Sequence, residues 1–392
     1  MASRRLFKGE GDIGDPPLSG MWSKMAGERL LSVDAFRGMT IAAMVLVNNP
    51  GSWSHVYAPL RHAAWHGWTP TDLVFPFFLF IVGISISLSL SRRTAEGATA
   101  AALRRKILTR SALLLLVGWF LHLFPRFRFA TMRIPGVLPR IAVCFLVGAV
   151  LFLSLRKGIV RTSVGAALLV GYWAALTFIP VPGYGPGVLD EKGNLCGFVD
   201  KALLGGHLYK PEFDPEGILS AIPAIVTVLL GTLAGDWLRS ARTMTRKGVG
   251  LFAAGIPLTA AGLALDPVFP VNKQLWTSTY VLLTAGLALL VFGLCFFLIE
   301  YLGRKGWAKP FLILGANAIT VFAGSTLMVK ILMLVKISEA GRTVNPIGWL
   351  HAHVFSPLAG PYLGSLIYPF LLVLLWIGLM APLYKHKIFI KL

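Results

Sequence analysis

Residues 72–91 read DLVFPFFLFIVGISISLSLS, and this stretch decides the fold. After Asp72 it holds no charged residue, and about 20 mostly apolar residues in a helix are what a bilayer's hydrocarbon core requires. Working outward, runs of similar length and character fall near 31–49, 107–124, 137–155, 160–180, 218–238, 248–265, 275–300, 309–335 and 361–384. The first is the weakest, because it carries Asp34, Arg37, Asn48 and Asn49. The 392-residue chain is 56% hydrophobic and only 14% charged, against about 25% charged in a soluble domain. An all-α, polytopic integral membrane protein with about ten transmembrane helices is therefore expected. Residues 1–30 read as a polar cytoplasmic tail without an apolar signal-peptide core, so the first span is expected to direct insertion. Residues 31–392 read as one transmembrane domain, with external loops near 50–71, 125–136, 181–217, 266–274 and 336–360.

The net charge of +20 would suggest nucleic acid in a soluble protein. Here it reads as topology, because Lys and Arg collect on the cytoplasmic side of spans. Arg4, Arg5, Lys8, Lys24 and Arg29 precede the first span, and Arg92, Arg93, Arg104, Arg105 and Lys106 follow the second. Arg156, Lys157, Arg161, then Arg239, Arg242, Arg246, Lys247, then Arg304, Lys305, Lys309, and last Lys385, Lys387, Lys391 recur at alternate connections. Ten spans put all of these on one side, which predicts N-in/C-in. Segment 125–136 resists, with Arg126, Arg128 and Arg133 on the external side. Either it is short enough to be outvoted or its arginines have a role. The three cysteines, Cys144, Cys196 and Cys295, are widely spaced and imply neither a disulfide framework nor a metal site.

Ionisable and amide groups in or beside spans are costly and by default mark function. Upstream of the opening stretch, residues 60–71 read LRHAAWHGWTPT. His62 and His66, four apart, share a face if the segment is helical. No third ligand accompanies them, so a metal is not expected. A histidine with a carboxylate nearby and an aromatic belt of Tyr57, Trp65 and Trp68 is suited to act as base or nucleophile. Asp72 is the carboxylate, and TPTD also has the character of a helix N-cap. Asp34 and Arg37, three apart, read as an intrahelical pair or as a site where Arg37 meets an anionic ligand. Asn48 ends the first span before Pro50-Gly51, either as a cap or as an orienting amide. Arg133 and Arg140 in RIPGVLPRIA suit phosphate or carboxylate recognition, or interfacial snorkelling. NKQLWTS repeats the pattern with Asn272, Lys273 and Trp276. Asn317 in GANAI sits among small residues that favour close helix packing. Lys330 has no evident partner, and His351 and His353 are unassigned.

Six blocks carry a resemblance: SVDAFRGMTIAAMVLVNNPG, LRHAAWHGWTPTDLVFPFFLFIVGISISLSL, RIPGVLPRIAV, FDPEGILSAIPAIVTVLLGTLAG, NKQLWTSTYVLLTAGLALL and GANAI. In series from about residue 29 they resemble the heparan-α-glucosaminide N-acetyltransferase family of transmembrane acyltransferases. The resemblance implies transfer of an acetyl group from cytosolic acetyl-CoA to an amino sugar or glycan across the membrane. It implies that His62, in HAAWHGWTPTDLVFP, is the active histidine, and that Asn48 occupies the family's asparagine position. The family has Asn where His66 stands and Leu where Trp68 stands. The catalytic set expected is His62, Asn48 and Asp72. Arg37, Arg133, Arg140, Lys273 and Asn317 are expected to hold acetyl-CoA, with Arg37 at the inner mouth. Trp65, His66, Trp68, Asn272 and Trp276 are expected to meet the acceptor, with no metal. The expected setting is a bacterial inner membrane with the site facing the periplasm. The expected partners are a small-molecule sugar acceptor and the lipid bilayer, not nucleic acid, with a homodimer left open. Two rivals stand: an amino-sugar transporter, and an O-acetyltransferase of a glycan or lipid.

Overall fold

The computed structural model of the protein describes residues 30–339 and 342–390. The expected cytoplasmic tail, apart from Leu30, lies outside the described residues, as does Lys391. Among the described residues nine helices are long and apolar enough to cross a membrane, and one bent pair supplies a tenth span. They are α1 (Leu31–Asn48), α2 (Val74–Ala95), α3 (Ala100–Leu123), α4 (Val137–Ser154), α5 (Gly158–Phe178), α7 (Ala221–Arg239), α8 (Met244–Ala264), α9 (Ser278–Phe296) and α14 (Pro361–Lys385), with α10 (Lys309–Ala316) and α11 (Ala318–Leu334) as the bent pair. The longer connections carry the short α6 (Leu195–Leu204), α12 (Pro346–Leu350) and α13 (Ser356–Ala359), and a two-stranded antiparallel hairpin, β1 (Ile337–Glu339) and β2 (Arg342–Val344). The chain is thus an all-α polytopic membrane protein.

Two boundaries differ from the sequence reading. The third span starts at Ala100 rather than near 107, because Arg104, Arg105 and Lys106 are good helix formers and Thr99 caps the turn by accepting from the Ala102 amide at 3.2 Å. The ninth span, expected to run unbroken, bends by 71°. The break falls at Asn317, which leaves the helical conformation at φ −126°, ψ 41°. Both ends of its amide bond to the chain: Nδ2 donates to the Ile388 carbonyl at 3.2 Å and Oδ1 accepts from the Ile390 amide at 2.8 Å. Asn317, expected to meet the donor, thus ties the segment after α14 to the bend.

The helices sort into an inner and an outer set. α2 buries 78% of its central window, and α8 only 22%. The outer set presents Leu108, Leu116, Val170, Ile256, Phe370 and Leu374 outward, as lipid-facing helices do. Inside, helices meet through small residues. A Cβ on Gly83 of α2 would stand 2.1 Å from the Val228 carbonyl of α7, and one on Gly231 would stand 2.1 Å from the Phe80 carbonyl. These two glycines let α2 and α7 touch backbone to backbone. That fixes the height of α2, and so of the Asp72 turn at its head.

Candidate active site

The site begins with the turn that opens α2. Thr69-Pro70-Thr71-Asp72 forms a single 3₁₀ turn, Pro70–Leu73, with proline at its first position. Pro70 favours that position because its missing N–H would lack a partner there anyway. Asp72 is not the N-cap, as TPTD suggested, but the third residue of a capping box whose N-cap is Thr69. Its Oδ2 accepts from the Thr69 amide at 3.0 Å, the Ala63 amide at 3.0 Å and the Thr69 hydroxyl at 3.1 Å. Its Oδ1 lies 2.7 Å from His62 Nδ1. The carboxylate is 1% exposed while the His62 side chain is 43% exposed. Below, the Tyr280 hydroxyl of α9 donates to the Asp72 carbonyl at 2.5 Å. Capping and histidine contact thus share one carboxylate. With Nδ1–H directed at Oδ1, a neutral imidazole keeps its lone pair on Nε2.

His62 and His66 do not share a helical face. They lie in an irregular segment turned by Gly67 at φ +89°. His66 Nδ1 faces Asn272 Nδ2 at 3.3 Å instead. Gly67 bridges to Asn272 and donates to the Val271 carbonyl at 2.7 Å, which draws loop 265–277 alongside the histidine segment. That loop is a tight construction. Asn272 Oδ1 accepts from the Leu275 amide at 2.8 Å, the Thr277 amide donates to the Asn272 carbonyl at 3.1 Å, and Trp276 adopts φ +53°. The construction aims Lys273 at the pair. Its Nζ lies 3.0 Å from His62 Nδ1, 3.4 Å from Nε2 and 3.4 Å from Asp72 Oδ1. Burial draws the Lys273 amine below its ordinary pKa, opposed by the nearby carboxylates of Asp72 and Glu216.

Trp276 is buried, with its ring edge-on to Phe75 at 5.3 Å and the Arg140 guanidinium 5.2 Å above it. Trp276 and Asn272, both expected to meet the acceptor, are fully buried. Arg140 donates to the Gly217 carbonyl at 2.9 Å and to the Ser220 hydroxyl, while its Nε and Nη1 have no partner. Arg133 is held by Asp214 at 2.6 and 2.8 Å and by Glu216. Burial opposes its charge, but these two carboxylates outweigh that and push its pKa up. Both arginines, expected to hold the donor, tie the segment before α7 to the start of α4. These ion pairs give Arg133 a role in segment 125–136, the one whose charge resisted the pattern. Asp200 in α6, raised by burial to about 6, accepts from the Ile218 amide at 2.8 Å and steadies the same segment. Trp65 donates to the Leu189 carbonyl at 2.8 Å and packs on Phe213, so the long 181–217 connection forms one wall. Trp68 stands exposed at the rim. Asn48 is exposed and makes no hydrogen bond with His62.

Arg37 lies apart, in the other half of the bundle. It pairs with Asp34 at 2.8 Å and donates to Ser85 Oγ at 2.7 Å. The sequence reading missed Arg110 of α3, which lies over the Phe145 ring at 4.8 Å, within electrostatic reach of Arg37, with its Nε unpartnered. A lone charge inside an apolar run was the available signal. It also took Arg161 as a loop charge, whereas Arg161 is buried and paired with Asp236. Lys330 donates to the Leu121 and Phe124 carbonyls. His351 faces the Pro361 carbonyl at 3.0 Å, and His353 pairs with Glu339 at 2.6 Å.

A solvent-facing imidazole backed by a buried carboxylate, at one rim of an apolar bundle, defines the class: a polytopic membrane protein equipped for proton transfer or nucleophilic attack. Comparison with known proteins narrows it. Residues 29–264 match the family model for the catalytic region of heparan-alpha-glucosaminide N-acetyltransferase. The chain is 33% identical to the human heparan-alpha-glucosaminide N-acetyltransferase over 352 residues, covering 76% of this chain and 52% of that protein. It is 30% identical to the mouse protein of the same name over 426 residues, covering 94% of this chain and 61% of the relative. The chain thus spans about half to three fifths of the curated relatives it matches. It belongs to the heparan-alpha-glucosaminide N-acetyltransferase family.

Proposed function

We propose that the protein transfers the acetyl group of acetyl-CoA, taken from the cytosol, to an amino sugar on the opposite side of a bacterial inner membrane. The observation that carries this reading is the His62–Asp72 pair, facing out at one rim while Arg37 and Arg110 lie in the other half of the bundle. Acetyl-CoA carries several phosphate charges, and sinking each to the bilayer centre would cost several kcal/mol. Arg37, with its side chain 22% exposed, and Arg110, whose Nε has no partner, suit a donor whose nucleotide stays at the basic end. The long, weakly polar pantetheine arm then brings the thioester toward His62. The excess of Lys and Arg at alternate connections supports the basic end as cytoplasmic and the His62 end as periplasmic.

In the direct route, His62 Nε2 accepts a proton from the acceptor amine as its nitrogen attacks the thioester carbonyl. Asp72 keeps Nδ1–H in place throughout. The C–S bond then breaks and the departing sulfur takes the proton from Nε2. The same residues serve an acetyl-imidazole intermediate, and the direct route is favoured because it needs one step fewer. Purified protein in detergent, given labelled acetyl-CoA and a panel of amino sugars, should form labelled N-acetyl sugar. His62→Ala should lower that rate by about 10²–10⁴-fold, the range for a general base. Transfer by solubilised protein excludes pure transport, and a His62→Ala variant as fast as wild type removes His62 from the chemistry. Label appearing only as an alkali-labile ester would assign O-acetylation instead.

A further inference from the structure

We infer that Lys273 is a catalytic residue, its ammonium receiving the negative charge that develops on the thioester carbonyl oxygen during transfer. This rests on the proposed acetyl transfer at His62 and names a group that the sequence reading had given to cofactor binding. The geometry argues for it. Nζ stands 3.4 Å from Nε2, the atom that meets the reacting centre, and 3.0 Å from Nδ1. A carbonyl carbon approached from the Nε2 side therefore carries its oxygen within hydrogen-bonding reach of Nζ. One ammonium with three donors can serve both Asp72 and that oxygen. The loop spends Asn272, Thr277 and a left-handed Trp276 on fixing this one side chain, which is only 14% exposed. A charge held in place before reaction, with little water around it, is what stabilises an oxyanion most strongly.

The electron movements follow. As the acceptor nitrogen bonds to the carbonyl carbon, the C=O π pair moves onto oxygen beside Nζ, and Nε2 takes the amine proton. As the pair returns, the C–S bond breaks, the sulfur leaves with its electrons and takes the proton from Nε2. Lys273 donates hydrogen bonds throughout and keeps its own proton. The charged groups facing it are His62 from the segment before α2, Asp72 from the head of α2, and Glu216 from the segment before α7, itself paired with Arg133. Burial favours loss of the proton and the two carboxylates favour keeping it. Activity should therefore fall as pH rises through a titration lower than that of an exposed lysine.

The test uses the full chain in detergent with acetyl-CoA and glucosamine, following thiol release and N-acetylglucosamine together. Lys273→Met should lower kcat by about 10²–10³-fold, as loss of one oxyanion donor does, with KM for acetyl-CoA within about threefold of wild type. Lys273→Arg should recover part of kcat and lose the alkaline decline, because a guanidinium stays protonated. Millimolar methylammonium should restore part of the Lys273→Met rate. A Lys273→Met variant that raises KM for acetyl-CoA at unchanged kcat makes the residue a cofactor handle and overturns the inference. So does a kcat loss that neither arginine nor methylammonium relieves while thermal stability falls, which marks a counter-charge to Asp72. If His62→Ala is inactive and Lys273→Met is not, only this inference fails. If wild type transfers nothing from acetyl-CoA, both readings fail together.

Discussion

Asp72 does two jobs with one carboxylate, and the residue scale is where that is tested. Oδ2 is occupied by the capping amides, so only Oδ1 serves His62. Asp72→Asn keeps the shape but offers an N–H₂ where an acceptor stood, or a carbonyl with no charge. With the amide group facing Nδ1, the histidine must present its lone pair there and carry its proton on Nε2, where the base is needed. The expected outcome is a kcat lower by about 10²–10⁴-fold, with a small loss of stability of about 1 kcal/mol from the weakened cap. Because the two residues act as a unit, the double variant with His62→Ala should be no slower than His62→Ala alone. Steady-state rates of the three proteins decide it, and losses that multiply would separate the residues.

At the scale of elements, two contacts set where the site stands. One is the glycine crossing of α2 on α7. The other is the pair of arginines that ties the segment before α7 to α4. Gly231→Ala puts a methyl group 2.1 Å from the Phe80 carbonyl, and backbone cannot yield as a flexible side chain does. Overpacking of this kind costs about 1–3 kcal/mol. Gly171→Ala, on an open face of α5 with nothing near its Cβ, is the control and should be neutral or slightly stabilising. Thermal unfolding in detergent should separate the two by several degrees, and equal melting temperatures would mean the helices do not cross at these glycines. The displaced α2 should also lower acetyl transfer, although neither glycine touches His62.

The whole molecule decides sidedness. The proposed sidedness counts the bent pair as one span, which gives ten crossings and sets the His62 loop across the membrane from the basic connections. In proteoliposomes, acetyl-CoA outside and glucosamine trapped inside should yield N-acetylglucosamine only in the lumen, with free CoA outside. Only molecules with the basic end outward contribute, so a mixed population gives about half the signal of detergent-solubilised protein. Product formed on the donor's own side would refute transmembrane transfer while leaving the enzyme an acetyltransferase.

What the sequence determined by itself was the set of spans, because bilayer thickness imposes one length on every crossing and apolar runs are read directly. It also marked His62 and Asp72 as one site, since ten residues of chain separate them and the motif is contiguous. Lys273 was singled out, but not its place beside an imidazole 211 positions earlier. Only the tertiary structure decided that, through the Gly67–Asn272 bridge. It decided also that Arg133 and Asn317 bond to neighbouring loops, that Arg140 keeps two buried nitrogens unpartnered, and that Trp276 is buried against Phe75. The reason is physical: membrane burial is a property of each segment alone, whereas the partner of a polar group depends on which loops the packed helices bring together.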